Sequence, residues 1–215
     1  MKTKYIILNL ILFLFFGYSV GQTNEIQQDK KEYNSIEEAL KNPEKVFKLN
    51  LSNQNVNISN ENWLKFKNLE YLNLKNDHLK IVPSILLELK NLKILDLSGN
   101  EIETLPYNFS NLLNLEELFL NDEKKLKLPE TIQLLSKLPA LKKLHLENDN
   151  IQNLPENIFN LQNLESLYLN NNKIKEIPKK IKQLPHLQYL DLNGNPIKPI
   201  TIELQNYNFG FRIHF

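Results

Sequence analysis

The sequence predicts an α/β solenoid, in which a curved parallel β-sheet forms the concave face and short helices and turns form the convex face. Leu69, Leu72 and Leu74 recur 23 residues later, and the same spacing returns near the C-terminus. Within each group the leucines alternate around one outward residue, which is the period of a strand with one buried face. A unit of this size cannot bury its apolar face alone, so successive units stack and their strands join in one sheet.

The first 21 residues differ from the rest of the chain. Two lysines precede an apolar run over residues 5–16, and Ser19 and Gly21 occupy the −3 and −1 positions of a cleavage site. This plan predicts a secretory signal peptide over residues 1–21, and export to the periplasm, the cell surface or the medium. The alternative is an uncleaved membrane anchor, although the run is shorter than the ~20 residues of a spanning helix.

Residues 22–45 are interpreted as a polar segment, loosely ordered over residues 22–32, followed by a capping helix. Ser35 and Glu38 have the spacing of a capping box, and Pro43 stops the helix. Three apolar residues of this helix would cover the open end of the stack: Ile36, Ala39 and Leu40.

Residues 46–215 are interpreted as the solenoid, with seven repeats and a C-terminal capping strand. The repeats start at Val46, Leu69, Leu92, Leu115, Leu141, Leu164 and Leu187. They share the spacing of the pattern L-x-x-L-x-L-x-x-N-x-L, and a Leu-Pro pair comes between patterns, as at Leu105-Pro106 and Leu154-Pro155. This pattern resembles the leucine-rich repeat family, in its typical 23-residue subclass.

The resemblance implies a rigid module that binds a protein or peptide. Extracellular animal and plant members usually cap their ends with disulfides, whereas this chain has no cysteine. Its many Asn, Lys and Ile residues suggest an AT-rich genome. Together these observations favour a bacterial exported type.

The repeats depart from the pattern at position nine, where Gln54, Asp77, Glu123 and Asp149 replace asparagine. A carboxylate accepts hydrogen bonds but donates none, so we expect these rungs of the asparagine ladder to be weaker.

The fourth repeat is irregular. A distorted turn is predicted over residues 121–127, with Leu126 replacing a missing apolar residue. A convex helix is predicted over residues 130–137, ending near Pro139.

The 23-residue step also predicts a last start at Gly210. It puts Ile213 and Phe215 on buried positions of a final strand over residues 211–215.

No residue pattern indicates catalysis. The chain lacks a cysteine nucleophile, its five glycines are scattered, and its four histidines have no metal-ligand spacing. We therefore expect no enzyme, and no catalytic, cofactor-binding or metal-binding residue. A formal net charge of +1 also gives no broad attraction for nucleic acid or an acidic membrane.

The predicted binding face consists of the outward side chains at positions three, five and seven of the repeats. Phe119, His145 and Tyr168 form a row across three adjacent strands, all expected to face solvent. The full set of candidate residues is Tyr71, Ile94, Phe119, His145, Tyr168 and Tyr189. Exposed aromatic residues on a rigid surface dominate binding hot spots, but they also pack across strands without binding anything.

These observations lead to the hypothesis of an exported monomer that binds a protein or peptide. It would bind no nucleic acid and, once the leader is cleaved, no membrane. One alternative is a glycan-binding or adhesion protein, whose site should be a cleft with a nearly flat aromatic bed. A second alternative is a membrane-anchored signalling scaffold that retains its leader.

Overall fold

The computed structural model describes residues 30–197 and 210–215. The predicted signal peptide and most of the polar segment after it lie outside these ranges. Residues Lys31–Phe215 form one compact unit.

The described residues contain nine parallel strands in one sheet, arranged in chain order. They are β1 Glu32–Tyr33, β2 Lys48–Asn50, β3 Tyr71–Asn73, β4 Ile94–Asp96, β5 Glu117–Phe119, β6 Lys143–His145, β7 Ser166–Tyr168, β8 Tyr189–Asp191 and β9 Arg212–His214. From β2 onward, each strand covers positions three to five of its repeat, and equivalent residues pair directly. The predicted solenoid is confirmed.

Short helices connect the strands on the other side of the molecule. The α-helices are α1 Ile36–Ala39, α2 Asn60–Trp63 and α3 Leu128–Leu135. The 3₁₀ segments are Pro43–Lys45, Ser84–Glu88, Phe109–Asn111, Glu156–Asn160 and Lys179–Gln183. The core lies between these segments and the sheet, where the leucines at positions one, four and six of the repeats are buried.

A ladder of hydrogen bonds joins the position-nine residues. Asn100 Oδ1 accepts the Asp77 N–H at 3.0 Å, and Asn172 Oδ1 accepts the Asp149 N–H at 3.0 Å. The Nδ2 group of Asn172 also donates to the carbonyls of Leu146 and Leu169. A carboxylate at position nine can accept the backbone N–H, but it cannot donate to the carbonyl groups as an amide does.

The fourth repeat adapts to its glutamate at position nine. The longer side chain of Glu123 accepts the N–H groups of both Asn100 and Ile102, each at 2.7 Å. Leu126 packs against the core beside this turn. Helix α3 begins two residues earlier than predicted, because Pro129 occupies its first turn, where a missing N–H costs nothing.

The N-terminal cap contains one strand that the sequence did not reveal. Helix α1 begins after Ser35, whose Oγ accepts the Glu38 N–H at 3.4 Å, as the capping box predicts. The Glu38 carboxylate instead pairs with Lys31 at 2.6 Å. Strand β1 extends the sheet beyond the first repeat, so Glu32, which we expected to be loosely ordered, is part of the cap.

The C-terminal cap forms in the predicted register, with Ile213 paired to Leu190. The expectation that Phe215 is buried is wrong, since its side chain is 37% exposed. Within the described residues no strand follows β9 to cover that side of Phe215.

Candidate functional site

The centre of the outward face is a stack of three rings from consecutive strands. Phe119, His145 and Tyr168 are the last residues of β5, β6 and β7, at position five of their repeats. They pair directly in the sheet. The rings of Phe119 and His145 lie 3.9 Å apart at 16°, and those of His145 and Tyr168 lie 4.1 Å apart at 3°. Strands about 4.8 Å apart bring planar side chains close enough for this contact.

His145 is buried in this stack, with 8% of its surface exposed. Our expectation that it faces solvent is therefore wrong, because the flanking rings cover both of its faces. Its Nε2 atom lies 2.9 Å from Glu117 Oε1, and the Lys143 amino group lies 3.5 Å from the same carboxylate. The hydrogen bond with His145 lowers the pKa of Glu117 below its ordinary value, although partial burial opposes this shift. The nearby charge of Lys143 lowers the same pKa further.

Tyr189 extends the stack at one end. Its ring lies 5.5 Å from that of Tyr168, tilted by 53°, and its hydroxyl donates to Asp191 Oδ2 at 3.2 Å. Tyr71 and Ile94 are the first residues of β3 and β4, at position three of their repeats. Both are half-buried, and they pair with each other. The structure thus places these two candidates on the same face but outside the ring stack.

The position-five residues outside the stack share one structural task. The side-chain oxygen of each accepts the backbone N–H two residues later, where the chain leaves the strand. The four distances are 3.2 Å for Asn50, 2.9 Å for Asn73, 2.9 Å for Asp96 and 3.0 Å for Asp191. Asparagine and aspartate therefore do the same structural work here, although only aspartate adds a charge.

Carboxylates surround the aromatic stack. Across the outward positions of β4 to β8 stand Asp96, Glu117, Glu147 and Asp191, against the single lysine Lys143. With the histidines neutral, the formal charge of this surface is −3, although the whole chain carries +1. Sequence reasoning about aromatic residues missed this feature, which reading the charges at the same outward positions would have revealed.

Comparisons with known proteins support the repeat assignment. A family model described as Leucine rich repeat matches residues 139–197, and another of the same description matches residues 91–112. No curated protein matches the chain significantly, whereas many solved structures do.

Three solved structures show the likeness. A Leptospira interrogans LRR protein is 28% identical, with a TM-score of 0.56, over 77% of this chain and 53% of that one. TLR13, solved as a complex with ssRNA13, is 30% identical, with a TM-score of 0.60, over 71% of this chain and 23% of that one. Human 5T4, also named Wnt-activated inhibitory factor 1 or Trophoblast glycoprotein, is 26% identical, with a TM-score of 0.54, over 62% of this chain and 53% of that one. The matched region thus spans about half or less of each of these chains.

The described residues show neither a membrane-spanning helix nor a metal-binding cluster. None of their helices is long and apolar enough to cross a membrane. They also contain no group of three or more His, Asp or Glu side chains arranged to hold a metal ion.

Proposed function

We propose that this chain, which is a leucine-rich repeat protein, binds a protein or peptide through the outward face of its sheet. The observation that carries the proposal is the ring stack of Phe119, His145 and Tyr168, held on three strands that pair in direct register. Rings fixed in this way lose little side-chain entropy when a partner packs on them. We further propose that the module acts by binding alone, without catalysis.

The geometry of the stack favours a protein partner over a glycan. A sugar ring packs on the open face of an aromatic ring, but both faces of His145 are covered by its neighbours. The adjoining faces of Phe119 and Tyr168 are covered in the same contacts. At the centre of the stack, what remains for a partner is a strip of ring edges with polar groups around it, which suits side chains that reach down onto the sheet.

Binding to the stack is tested by the double variant Phe119→Ala, Tyr168→Ala. We expect this variant to weaken the affinity of a captured protein partner by ~2 kcal/mol or more, the usual size of a hot-spot effect. The partner is identified by mass spectrometry after capture on the immobilised wild-type chain, and affinities are measured by calorimetry. An unchanged affinity would show that the stack only packs the sheet.

Two controls separate binding from folding. Tyr107→Ala removes an aromatic side chain that is 86% exposed and lies outside the sheet, and it should leave the affinity unchanged. Leu118→Ala removes a fully buried side chain that precedes Phe119 and faces the core, and it should lower the free energy of unfolding by ~2–5 kcal/mol. The double variant itself should stay folded, because its side chains are only half-buried.

We also propose that the protein is exported and that its leader is removed before Gln22. The support is the sequence alone: two lysines, an apolar run over residues 5–16, and small residues at the cleavage positions. N-terminal sequencing of protein made in its native host tests this proposal. Recovery of intact Met1 in the membrane fraction would instead support the anchored scaffold.

A further inference from the structure

We infer that the partner presents a basic segment, with lysine or arginine side chains on both sides of an apolar centre. This inference rests on the proposed function and adds the chemistry of the ligand. Its basis is the distribution of charge around the ring stack.

The carboxylates flank the stack on both sides. At position five the sheet reads Asp96, Phe119, His145, Tyr168 and Asp191 on consecutive strands. Four strand spacings of about 4.8 Å separate the two aspartates by about 19 Å. An extended peptide rises about 3.3 Å per residue, so basic residues about six positions apart would reach both aspartates.

The turns at the ends of the strands do not require the charge of these aspartates. Asn50 and Asn73 accept the same backbone N–H at the same position of other repeats. Asp96 and Asp191 therefore carry a charge that the turn does not need. Beside a rigid apolar strip, such a charge selects a cationic partner and steers its approach.

Neighbouring groups neutralise this charge only in part. Lys143 lies 3.5 Å from Glu117, and Arg212 on β9 pairs with Tyr189, two residues before Asp191. The His214 ring, counted as neutral, lies 3.1 Å from Asp191. Glu147 accepts the Asn121 Nδ2–H at 2.6 Å, a neutral donor that adds no opposing charge. In the described part of the chain, neither a lysine amino group nor an arginine guanidinium group lies within ion-pair distance of Asp96.

The same charge disfavours a nucleic acid. One structural neighbour was solved with a single-stranded RNA, ssRNA13, so RNA is a real competing ligand class. A phosphate backbone is attracted by clustered Lys and Arg, whereas the outward positions of β4 to β8 have a formal charge of −3. The observations therefore favour a basic peptide segment over RNA.

The test measures fluorescence anisotropy of labelled probes with the full chain. Three 12-residue peptides share a Leu-Trp centre and carry two lysines, two glutamates or two serines, placed six positions apart around it. A single-stranded RNA of 13 nucleotides is the fourth probe. We expect the lysine peptide to bind at least tenfold more tightly than the glutamate peptide, by an amount that shrinks as salt is added.

The charge contribution is isolated by the double variant Asp96→Asn, Asp191→Asn, which keeps both turn acceptors. It should weaken binding of the lysine peptide at least fivefold and leave the melting temperature nearly unchanged. Glu61→Gln with Glu130→Gln is the matched control. It removes two charges from exposed positions on α2 and α3 and should leave the affinity unchanged.

Three results would overturn the inference. They are equal affinity for the lysine and serine peptides, equal effects of the two charge-removing double variants, and tighter binding of RNA than of any peptide. The proposed function fails separately, if a captured protein partner binds the Phe119→Ala, Tyr168→Ala variant as well as wild type. A partner that needs the rings but ignores the aspartates would leave the proposed function standing and refute this inference.

Discussion

The residue at position eight of every repeat has a left-handed backbone. The seven residues are Asn53, Asn76, Gly99, Asp122, Asn148, Asn171 and Gly194, with φ between 57° and 71°. Most side chains avoid this region because Cβ approaches the following carbonyl, and Asn, Asp and Gly are the types that tolerate it. The left-handed conformation at position eight therefore lets the chain turn sharply after each strand.

Gly99 offers a test of how tightly this turn is packed. A Cβ atom on Gly99 would lie 2.0 Å from the side-chain oxygen of Asn76, which stands at the same position of the preceding repeat. We expect Gly99→Ala to lower the free energy of unfolding by more than the ~1–2 kcal/mol of left-handed strain alone. Chemical denaturation measures the difference.

Two variants separate this clash from the strain. Gly210→Ala also adds a Cβ atom at a positive φ, +80°, but no atom of the described residues lies within 4 Å of the added carbon, so it should cost less. Adding Asn76→Gly should reduce the cost of Gly99→Ala to that of strain alone. If Gly99→Ala costs the same in both backgrounds, the contact with Asn76 does not matter.

Among the structural elements, the position-nine ladder contains an unusual pair of carboxyl groups. Glu123 donates its backbone N–H to Asp149 Oδ1 at 2.7 Å, and both side chains are buried. Asp149 Oδ2 is buried without a hydrogen-bond partner, where Asn172 has an amide that donates to backbone carbonyls. Burial raises the pKa of Asp149 to about 8 and the pKa of Glu123 to about 7.

These carboxyl groups make the stability of the solenoid depend on pH. The pKa of Asp149 is higher in the folded protein than its ordinary value of 3.8, so the folded state binds more protons than the unfolded state between these values. The free energy of unfolding therefore falls as pH rises through this window, by up to about 1.4 kcal/mol per pH unit for one carboxyl. A protonated Asp149 would also supply the donor that asparagine supplies elsewhere in the ladder.

Asp149→Asn should remove this contribution. The amide keeps the acceptor for Glu123 and adds the missing donor, so we expect the variant to be more stable than wild type at pH 8 by up to about 4 kcal/mol, which is three pH units at the slope given above. The difference should shrink toward pH 5, where Asp149 is protonated. Urea denaturation at several pH values gives the difference, in which titrating groups that do not interact with Asp149 cancel.

The converse variant is Asn172→Asp, which replaces a complete rung by a carboxyl group. It should destabilise the protein, and the loss should grow as pH rises. A difference between Asp149→Asn and wild type that stays constant from pH 5 to pH 8 would contradict the assignment of a raised pKa to Asp149.

At the scale of the whole molecule, the sequence determines the solenoid because the repeat is periodic and each repeat contacts mainly its neighbours. Features outside the period were harder to predict. Strand β1 has no repeat pattern, and it is recognisable only from its pairing with β2. The burial of His145 depends on the rings on either side of it, and a pattern of outward positions cannot show which side chains stack.

The two edges of the sheet are where the molecule is most exposed to association with other chains. Unpaired strand edges present free backbone groups and an open apolar layer, which promote aggregation. In the described residues β1 and β9 form these edges, and β9 covers β8 by direct pairing of Ile213 with Leu190. The backbone N–H of Leu192 also donates to the carbonyl of His214 at 2.7 Å.

Deletion of residues 210–215 should therefore lower the melting temperature and cause the protein to associate, because it uncovers Leu190 and leaves β8 as the edge. Differential scanning calorimetry and size-exclusion chromatography measure the two effects. Phe215→Ser is the matched control: this side chain is 37% exposed, so its loss should change neither property appreciably. If the deletion melts like the parent and stays monomeric, β9 is not a cap. If Phe215→Ser alone reproduces the effect, the last side chain stabilises this end of the solenoid more than the strand pairing does.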